Sequence, residues 1–220
     1  MADTSHLSHL SEIIGVVYLT TVLPILYSFR RCPYAMRARM AIVRKGFKVE
    51  HREVILRDRP AHMMQISPKG EVPVLLLADE TVIEQSLEIM QYVHDWQLSE
   101  EESIWIERND FEFKFHLDRY KYPNRYEDID VLEQRNAAAS YLENLDANLQ
   151  SIEQNTTLSD ALFPFVRQFA NHDRAWFDIQ PWTRIHDWLA RNLESDEFKI
   201  CMNKNKQWFE GDSPVVFPAE

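Results

Sequence analysis

Short apolar runs occupy the first part of the chain and predict a small sheet. "PILYSF" (24–29) is typical of a buried strand, and "KVEHREVIL" (48–56) is a weaker strand candidate. In "VPVLLLADETVIE" (72–84), apolar runs lie on either side of a turn, which predicts a hairpin. Between these runs the apolar period becomes helical, from Pro33 to Lys45 and again from Gln85 to Trp96. This order, β-α-β followed by β-β-α, is typical of a thioredoxin-like domain.

After His94 a short polar stretch precedes a region that is almost entirely helical in pattern. Apolar positions at helical spacing predict helices near 101–121, 130–152, 158–171, 181–193 and 196–208. "TLSD" predicts a capping box, in which the Thr157 hydroxyl and the Asp160 carboxylate accept hydrogen bonds from free amides at a helix start. We therefore expect an α/β thioredoxin-like N-terminal domain followed by an all-α C-terminal domain.

These patterns place the domain boundaries. We expect an N-terminal extension (1–22), a thioredoxin-like domain (23–94), a linker (95–102) and an all-helical domain (103–220). The uncharged run from Ile13 to Phe29 has 17 residues and contains Pro24. It is shorter than the roughly 20 apolar residues that span a bilayer, and no Lys or Arg precedes it as in a secretory signal. We expect no membrane association.

Charge and glycine content exclude several other functions. The 220 residues carry a net charge of -11, which disfavours a nucleic-acid partner. Only four glycines are present and they are isolated, so a glycine-rich phosphate-binding loop is not expected. Residues 30–59 are the exception to the acidic character, with ten Lys or Arg against three Asp or Glu. Such a segment consists of solvated helix faces, or favours a thiolate and attracts a small anionic ligand.

The two cysteines, Cys32 and Cys201, are too few and too far apart in sequence for a disulfide framework. A reducing, cytoplasmic location is therefore expected. The histidines show no convincing metal-ligand spacing, so we expect no metal site.

Cys32 is the strongest candidate for a reactive group. Pro33 suits the first helical position, so Cys32 falls at the N-cap of the predicted helix, where free amides and the positive end of the helix dipole meet the sulfur. Both effects, together with Arg30, Arg31 and Arg37, predict a lowered pKa and a nucleophilic thiolate. The alternative is a small buried structural cysteine.

The residue three positions after Cys32 determines how a disulfide formed on Cys32 can be resolved. Position 35 is alanine, so no second cysteine is available to resolve a mixed disulfide, and an external thiol such as glutathione is needed.

A cis Val72–Pro73 bond would leave the backbone of Val72 free to pair with an extended peptide ligand. Gln85 and Ser86, at a helix start, offer donors to a ligand carboxylate or act as an ordinary helix cap.

In this order, C-P-Y-A, V-P, Q-S and T-L-S-D resemble the motifs of the glutathione transferase superfamily, over nearly the whole chain from about residue 24. The form Cys32–Pro33–Tyr34–Ala35 resembles the omega-like, cysteine-type members. The resemblance implies that glutathione lies with its sulfur facing Cys32. It also implies binding residues, namely Val72, Pro73, Gln85, Ser86 and, near the glycyl end, Arg59. Many members carry Glu-Ser where this chain has Gln-Ser. The loss of that carboxylate would weaken binding of the ligand's α-amino group. A homodimer is implied as well.

The leading functional hypothesis is a glutathione-dependent thiol oxidoreductase or transferase, acting on a disulfide, a glutathionyl thioether or an oxidised small molecule. One alternative is conventional conjugation of glutathione to electrophiles. Another is a non-catalytic adaptor or regulator that keeps the fold. The aromatic residues between Trp105 and Tyr126 are expected to be mostly core, with some facing a co-substrate.

Overall fold

Residues 22–219 are described by the structure, which is a computed structural model. The expected N-terminal extension therefore lies outside the described residues, apart from Val22. Within residues 22–219, no helix is both long enough and apolar enough to cross a membrane.

A five-stranded mixed sheet forms the centre of the first domain. Its strands are Ile25–Ser28 (β1), Val49–Glu53 (β2), Val74–Leu76 (β3), Val82–Ile83 (β4) and Val216–Phe217 (β5). They lie in the order β4-β3-β1-β2-β5, with β1 and β2 parallel and all other neighbours antiparallel. Leu26 and Tyr27 on the central strand are fully buried. The strands predicted near residues 24–29, 48–56 and 72–84 are all present.

The helix Pro33–Lys45 (α1) begins and ends where the sequence predicts. Pro33 occupies its first turn, and Cys32 is the N-cap residue. Gly46 ends the helix in a left-handed conformation with φ of 65°, and its amide donates to the carbonyls of Ile42 and Val43. This backbone conformation favours glycine because a Cβ atom strains it.

Two more helices complete the first domain, Ala61–Ile66 (α2) and Ser86–His94 (α3). Helix α3 packs against α1, and together they cover one face of the sheet. Ala38 and Ile42 of α1 and Ile89 and Val93 of α3 form a buried apolar cluster with Leu26 of β1. Burial of this apolar surface holds α1, and therefore Cys32, in a fixed position on the sheet.

The second domain is all-helical. Its helices are Glu100–Glu107 (α4), Lys114–Lys121 (α5), Val131–Ile152 (α6), Thr156–Ala170 (α7), Arg174–Phe177 (α8), Thr183–Glu194 (α9) and Asp196–Cys201 (α10). A π-helical stretch, Arg108–Phe113, joins α4 to α5, so the predicted helix 101–121 is one nearly continuous element. Large aromatic side chains, including Phe163, Phe169 and Trp188, fill the core. A thioredoxin-like domain followed by an all-helical domain is the predicted fold class.

The predicted capping box at Thr157 and Asp160 is wrong. Helix α7 begins two residues earlier than that motif requires, and its N-cap is Asn155, whose side chain accepts from the Leu158 amide at 3.0 Å. Asp160 is buried and accepts from Arg44 Nε at 2.8 Å. Since this ion pair joins the two domains, the carboxylate serves tertiary structure and not the helix start. A capping box does occur elsewhere, at the start of α4, between Ser99 and Glu102.

The last predicted helix, 196–208, is too long. Helix α10 ends at Cys201, and the following chain runs back across the first domain. The Trp208 amide donates to the Glu53 carbonyl at 2.8 Å, and the Trp208 ring packs edge-on against Tyr27. Strand β5 then pairs with β2. Pairing of this kind satisfies backbone groups that an edge strand would otherwise leave open, and a periodicity analysis does not detect it.

We predict that Asn155→Ala destabilises the protein by about 1 kcal/mol, because it removes the side chain that caps α7. Asn155 Nδ2 also donates to Glu102 Oε1, and that contact is lost as well. Thr157→Ala is the matched control and is expected to change the free energy of unfolding by less than about 0.5 kcal/mol. Urea unfolding followed by circular dichroism measures both. A larger loss for Thr157→Ala would restore the capping box predicted from the sequence.

Candidate active site

A cleft of about 430 Å³ lies where the first domain meets the helical domain. All the residues that the sequence suggested for ligand binding or chemistry line this cleft, with the exception of the buried Pro33: Cys32, Tyr34, Arg59, Val72, Pro73, Gln85 and Ser86. They come from the start of α1, the chain before α2, the chain before β3 and the start of α3. Residues that are separate in sequence therefore form one continuous surface.

The Cys32 sulfur lies at the centre of this surface. Cys32 is half-buried, and its Sγ donates to the carbonyl oxygen of Val72 across 3.6 Å. The Val72–Pro73 peptide bond is cis. Among residues 22–219, the backbone amide of Val72 donates no hydrogen bond. An extended ligand beside Cys32 would therefore find one free backbone donor and one weakly used acceptor at Val72.

Burial raises the pKa of the Cys32 thiol above its ordinary value of 9.0. The backbone amides of Ala35 and Tyr34 oppose this shift, as the N-terminal position on a helix leads one to expect. Arg39 and Lys114 lower the pKa further, by their positive charge, but burial prevails. The prediction of a lowered pKa is therefore wrong for the protein without ligand, since it left desolvation out.

The prediction also named the wrong arginines. Arg37 is fully buried and forms two hydrogen bonds with the Asp110 carboxylate, at 2.8 and 2.6 Å, and a third with the Ala161 carbonyl at 2.9 Å. Its guanidinium thus fastens α1 to the helical domain. Arg39 lies on α1, one helical turn after Ala35. It donates to the backbone carbonyls of Arg30 and Cys201.

Arg59 and the start of α3 form the two ends of the cleft. Arg59 Nε donates to the carbonyl of Gly70, which fixes the side chain over the chain that leads to Val72. At the other end, Gln85 is exposed as the N-cap residue of α3, and Ser86 is buried. Arg37 Nη1 donates to Ser86 Oγ at 3.5 Å. Arg59, Gln85 and Ser86 line the cleft together with Val72.

Several cleft residues were not predicted, or were predicted only as members of a group of aromatic residues. Glu84 precedes Gln85, and its Oε1 accepts from Ser67 Oγ at 2.6 Å, so a carboxylate is present one position before the Gln-Ser pair. Asp110 and Phe111 enter from the π-helical stretch of the second domain. Phe111 is 74% exposed, whereas its neighbour Phe113 is fully buried. Only the fold distinguishes the two, because the aromatic residues of this segment look alike in the sequence.

Tyr34 forms the wall between Cys32 and the helical domain. Its ring packs edge-on against Phe165 of α7, with centroids 4.9 Å apart, and the ammonium group of Lys114 lies 5.6 Å from the ring centroid. Burial raises the pKa of the Tyr34 hydroxyl, so this group stays protonated. The side of Cys32 that faces the helical domain is thus an aromatic surface with a positive charge beside it.

The fold and the cleft define a class of protein: a thioredoxin-like domain with a single cysteine capping its first helix, joined to an all-helical domain. Residues 26–99 match the family described as "Glutathione S-transferase, N-terminal domain". The match comprises 74 of the 220 residues, so it concerns the first domain of this chain.

Relatives of known sequence match parts of this chain. A probable glutathione transferase from Aplysia californica is 47% identical over 47 residues, which are 21% of this chain and 51% of that protein. Glutathione S-transferase U22 from Arabidopsis thaliana is 33% identical over 86 residues, or 39% of this chain and 35% of that protein. Glutathione S-transferase omega-2 from Mus musculus is 31% identical over 70 residues, 32% of this chain and 28% of that protein. The matches span about half or less of the length of these relatives.

Solved structures share the fold over most of the chain. A glutathione transferase family member from Pseudomonas fluorescens, with two glutathione molecules bound, has a TM-score of 0.71 at 17% identity and covers 84% of this chain and 94% of that one. The transferase URE2P6 from Phanerochaete chrysosporium, in complex with oxidized glutathione, has a TM-score of 0.69 at 14% identity and covers 81% of this chain and 94% of that one.

We predict that the Cys32 thiol of the free protein ionises with a midpoint above 9.0, because burial outweighs the helix amides and the nearby cations. The thiolate absorbance at 240 nm, titrated in wild type and in Cys32→Ser, isolates this group by difference. Lys114→Met should raise the midpoint further, since it removes a positive charge that favours the thiolate. A midpoint below 9.0 would show that the helix amides prevail over burial.

Proposed function

We propose that this protein is a glutathione-dependent thiol transferase of the omega-like, cysteine-using type. One observation carries the proposal. Cys32 is the only thiol that lines the cleft within residues 22–219, and the position where a resolving cysteine would be, Ala35, is fully buried on the helix behind it. The chemistry is therefore limited to one protein thiol and one thiol that comes from solution.

The proposed reaction removes glutathione from a mixed disulfide, RS–SG. The Cys32 thiolate attacks the glutathionyl sulfur, a new Cys32–SG disulfide forms, and RS⁻ leaves and takes up a proton. The thiolate of a free glutathione then attacks the glutathionyl sulfur of Cys32–SG. Oxidised glutathione leaves and the Cys32 thiolate is restored. The sum is RS–SG + GSH → RSH + GSSG, in which the disulfide substrate is reduced by two electrons and two glutathionyl groups are joined.

The cleft offers a place for each part of glutathione. The backbone of Val72 pairs with the cysteinyl residue of the ligand, as an added strand would. Arg59 lies at the end proposed for the glycyl carboxylate. Gln85 and Ser86 receive the γ-glutamyl carboxylate, and the neighbouring Glu84 supplies negative charge for the α-amino group. Solved structures that share the fold contain glutathione or oxidized glutathione, which supports this assignment.

Ligand binding also activates the thiol in this proposal. In the free protein the Val72 carbonyl accepts from the Cys32 thiol, and that hydrogen bond favours the protonated form. The cysteinyl amide of glutathione is a stronger donor than a thiol and takes over this carbonyl. Cys32 thereby loses the acceptor that stabilised its proton, so its pKa falls when the glutathionyl group is in place.

One observation favours conjugation as a second candidate function. Because burial raises the pKa of Cys32, its protonated thiol is able to donate a hydrogen bond to the thiolate of bound glutathione, as a hydroxyl group would. Glutathione would then attack an electrophile directly. Turnover of 1-chloro-2,4-dinitrobenzene that exceeds thiol exchange in the wild-type protein would favour this alternative.

We predict that Cys32→Ser abolishes the reduction of a glutathionyl mixed disulfide, because serine cannot form the covalent intermediate. Cys201→Ser is the matched control and should retain activity, since Cys201 is buried. Mass spectrometry after treatment with oxidised glutathione should find one adduct of glutathionyl mass, on the peptide that contains Cys32. Full activity in Cys32→Ser, or an adduct on Cys201 alone, would refute the mechanism.

We predict that Arg59→Ala raises the KM for glutathione about three- to tenfold, with a smaller effect on kcat, because one exposed charge-assisted contact is lost. Lys45→Ala is the control, since Lys45 is an exposed cation at the opposite end of α1 from Cys32. Steady-state assays at fixed disulfide concentration separate the two constants. An unchanged KM would remove Arg59 from the binding site.

A further inference from the structure

The basic segment 30–59 contains more positive charge than the cleft at Cys32 uses. Some of its arginines form ion pairs within the protein: Arg37 with Asp110, Arg44 with Asp160, and Arg52 with Glu50. Arg30, Arg31 and Arg57 have no carboxylate within ion-pair distance among residues 22–219.

These three arginines face a second cleft, which we call the basic groove. The groove has a volume of about 710 Å³ and is formed by the turn before α1, the chain that follows β2 and the C-terminal segment that crosses the first domain. Five cations line it: Arg30, Arg31, Arg57, Lys204 and Lys206. The two lysines, like the arginines, have no ion-pair partner within the described residues.

One carboxylate, Glu53, opposes these five cations. It is already engaged, because its Oε1 accepts from the Arg30 amide at 2.8 Å. Burial raises the pKa of the Glu53 carboxyl, and the Arg30 amide and the charges of Arg39 and Arg30 oppose that shift. His51 Nε2 lies 3.6 Å from Glu53, but burial and then the charge of Arg39 lower the pKa of His51 to about 3, so this ring is neutral. The groove is therefore strongly positive on a chain whose net charge is -11.

The basic groove adjoins the cleft at Cys32. Leu56 lines both cavities, and Arg31 is the residue immediately before Cys32. In the proposed reaction the glutathionyl half of the disulfide occupies the Cys32 cleft. The other half must extend outward from the same sulfur atom, and the groove is a lined space that begins next to it.

We propose that the basic groove binds the leaving half of the disulfide, and that this half is an acidic peptide with carboxylates beside its cysteine. The inference rests on the proposed thiol transfer. Carboxylates would meet Arg57, Lys204 and Lys206 as the peptide thiol departs. A short acidic peptide fits better than a long polyanion, because the acidic surface beyond the groove repels a long chain of negative charge.

Three peptides of equal length test this proposal, each with a single cysteine in disulfide linkage to glutathione and flanked by Glu, Gln or Lys. For the wild-type protein at low salt, we expect kcat/KM to be about three- to tenfold higher for the Glu peptide than for the Gln peptide, and lowest for the Lys peptide. The preference should shrink at about 0.5 M NaCl, where exposed charges are screened. Equal values for the three peptides, or a preference for Lys, would overturn the inference while leaving thiol transfer intact.

The double variant Lys204→Gln/Lys206→Gln locates the effect. We expect the ratio of kcat/KM for the Glu peptide to that for the Gln peptide to fall to near one half or less of its wild-type value. Lys45→Gln is the matched control because it removes an exposed cation at the far end of α1, about 18 Å along the helix from Pro33. An equal fall of the ratio in Lys45→Gln would show an effect of total charge and would overturn the assignment to the groove.

Binding without chemistry separates the inference from the proposed function. A fluorescent Glu peptide with serine in place of its cysteine is titrated into the Cys32→Ser protein and followed by anisotropy. Weaker binding of the peptide after adding Lys204→Gln/Lys206→Gln would support peptide binding in the basic groove. Absence of turnover in the kinetic assays would refute thiol transfer but would leave this binding result standing. No binding of the peptide, or more effective competition by a short single-stranded oligonucleotide than by unlabelled peptide, would overturn the inference.

Discussion

The buried guanidinium of Arg37 is the interaction on which the geometry of the cleft depends. It donates to both carboxylate oxygens of Asp110 in the helical domain and to the Ala161 carbonyl in α7. A longer hydrogen bond, of 3.5 Å, goes to Ser86 Oγ at the start of α3. A buried charge of this kind is stable only when its partners remain in place, and removal of one partner typically costs about 3–5 kcal/mol. The start of α1, which carries Cys32, the start of α3 and the π-helical stretch are thus held in one arrangement around the cleft.

The same arginine shows why a charge pattern in sequence is hard to interpret. Arg37 and Arg31 belong to one basic run, yet the first is fully buried in an ion pair and the second is exposed on the rim of the basic groove. Whether each arginine is buried or exposed depends on the direction of the helix and on Asp110, which is 73 residues away from Arg37. The count of basic residues was informative about charge, whereas the assignment of that charge to the Cys32 thiol required the partners to be known.

Local signals were reliable where the physical cause was local. Pro33 at the first turn and Gly46 at the end of α1 act within a few residues of themselves, so the sequence was sufficient to place both ends of the helix. The motif at Thr157 failed for the opposite reason. Asp160 has a long-range partner, Arg44, and Asn155 was available as a cap two residues before Thr157. Likewise the chain after Cys201 is fixed by pairing with β2 and by Trp208 on Tyr27, neither of which has a helical period.

The cleft gives one thiol two opposing requirements. A site that holds a disulfide must enclose the sulfur, and enclosure raises the pKa of Cys32 because a charged thiolate loses its hydration. A nucleophile nevertheless needs the thiolate. The backbone amides of Ala35 and Tyr34, at the start of the helix, oppose part of this rise in pKa. In the proposed function the ligand contributes the rest, because it replaces the thiol as the donor to Val72. Oxidation of a cysteine follows its thiolate character and exposure. Under the proposed function, a half-buried, protonated Cys32 is oxidised less readily than a thiolate would be, and it becomes reactive when a glutathionyl group arrives.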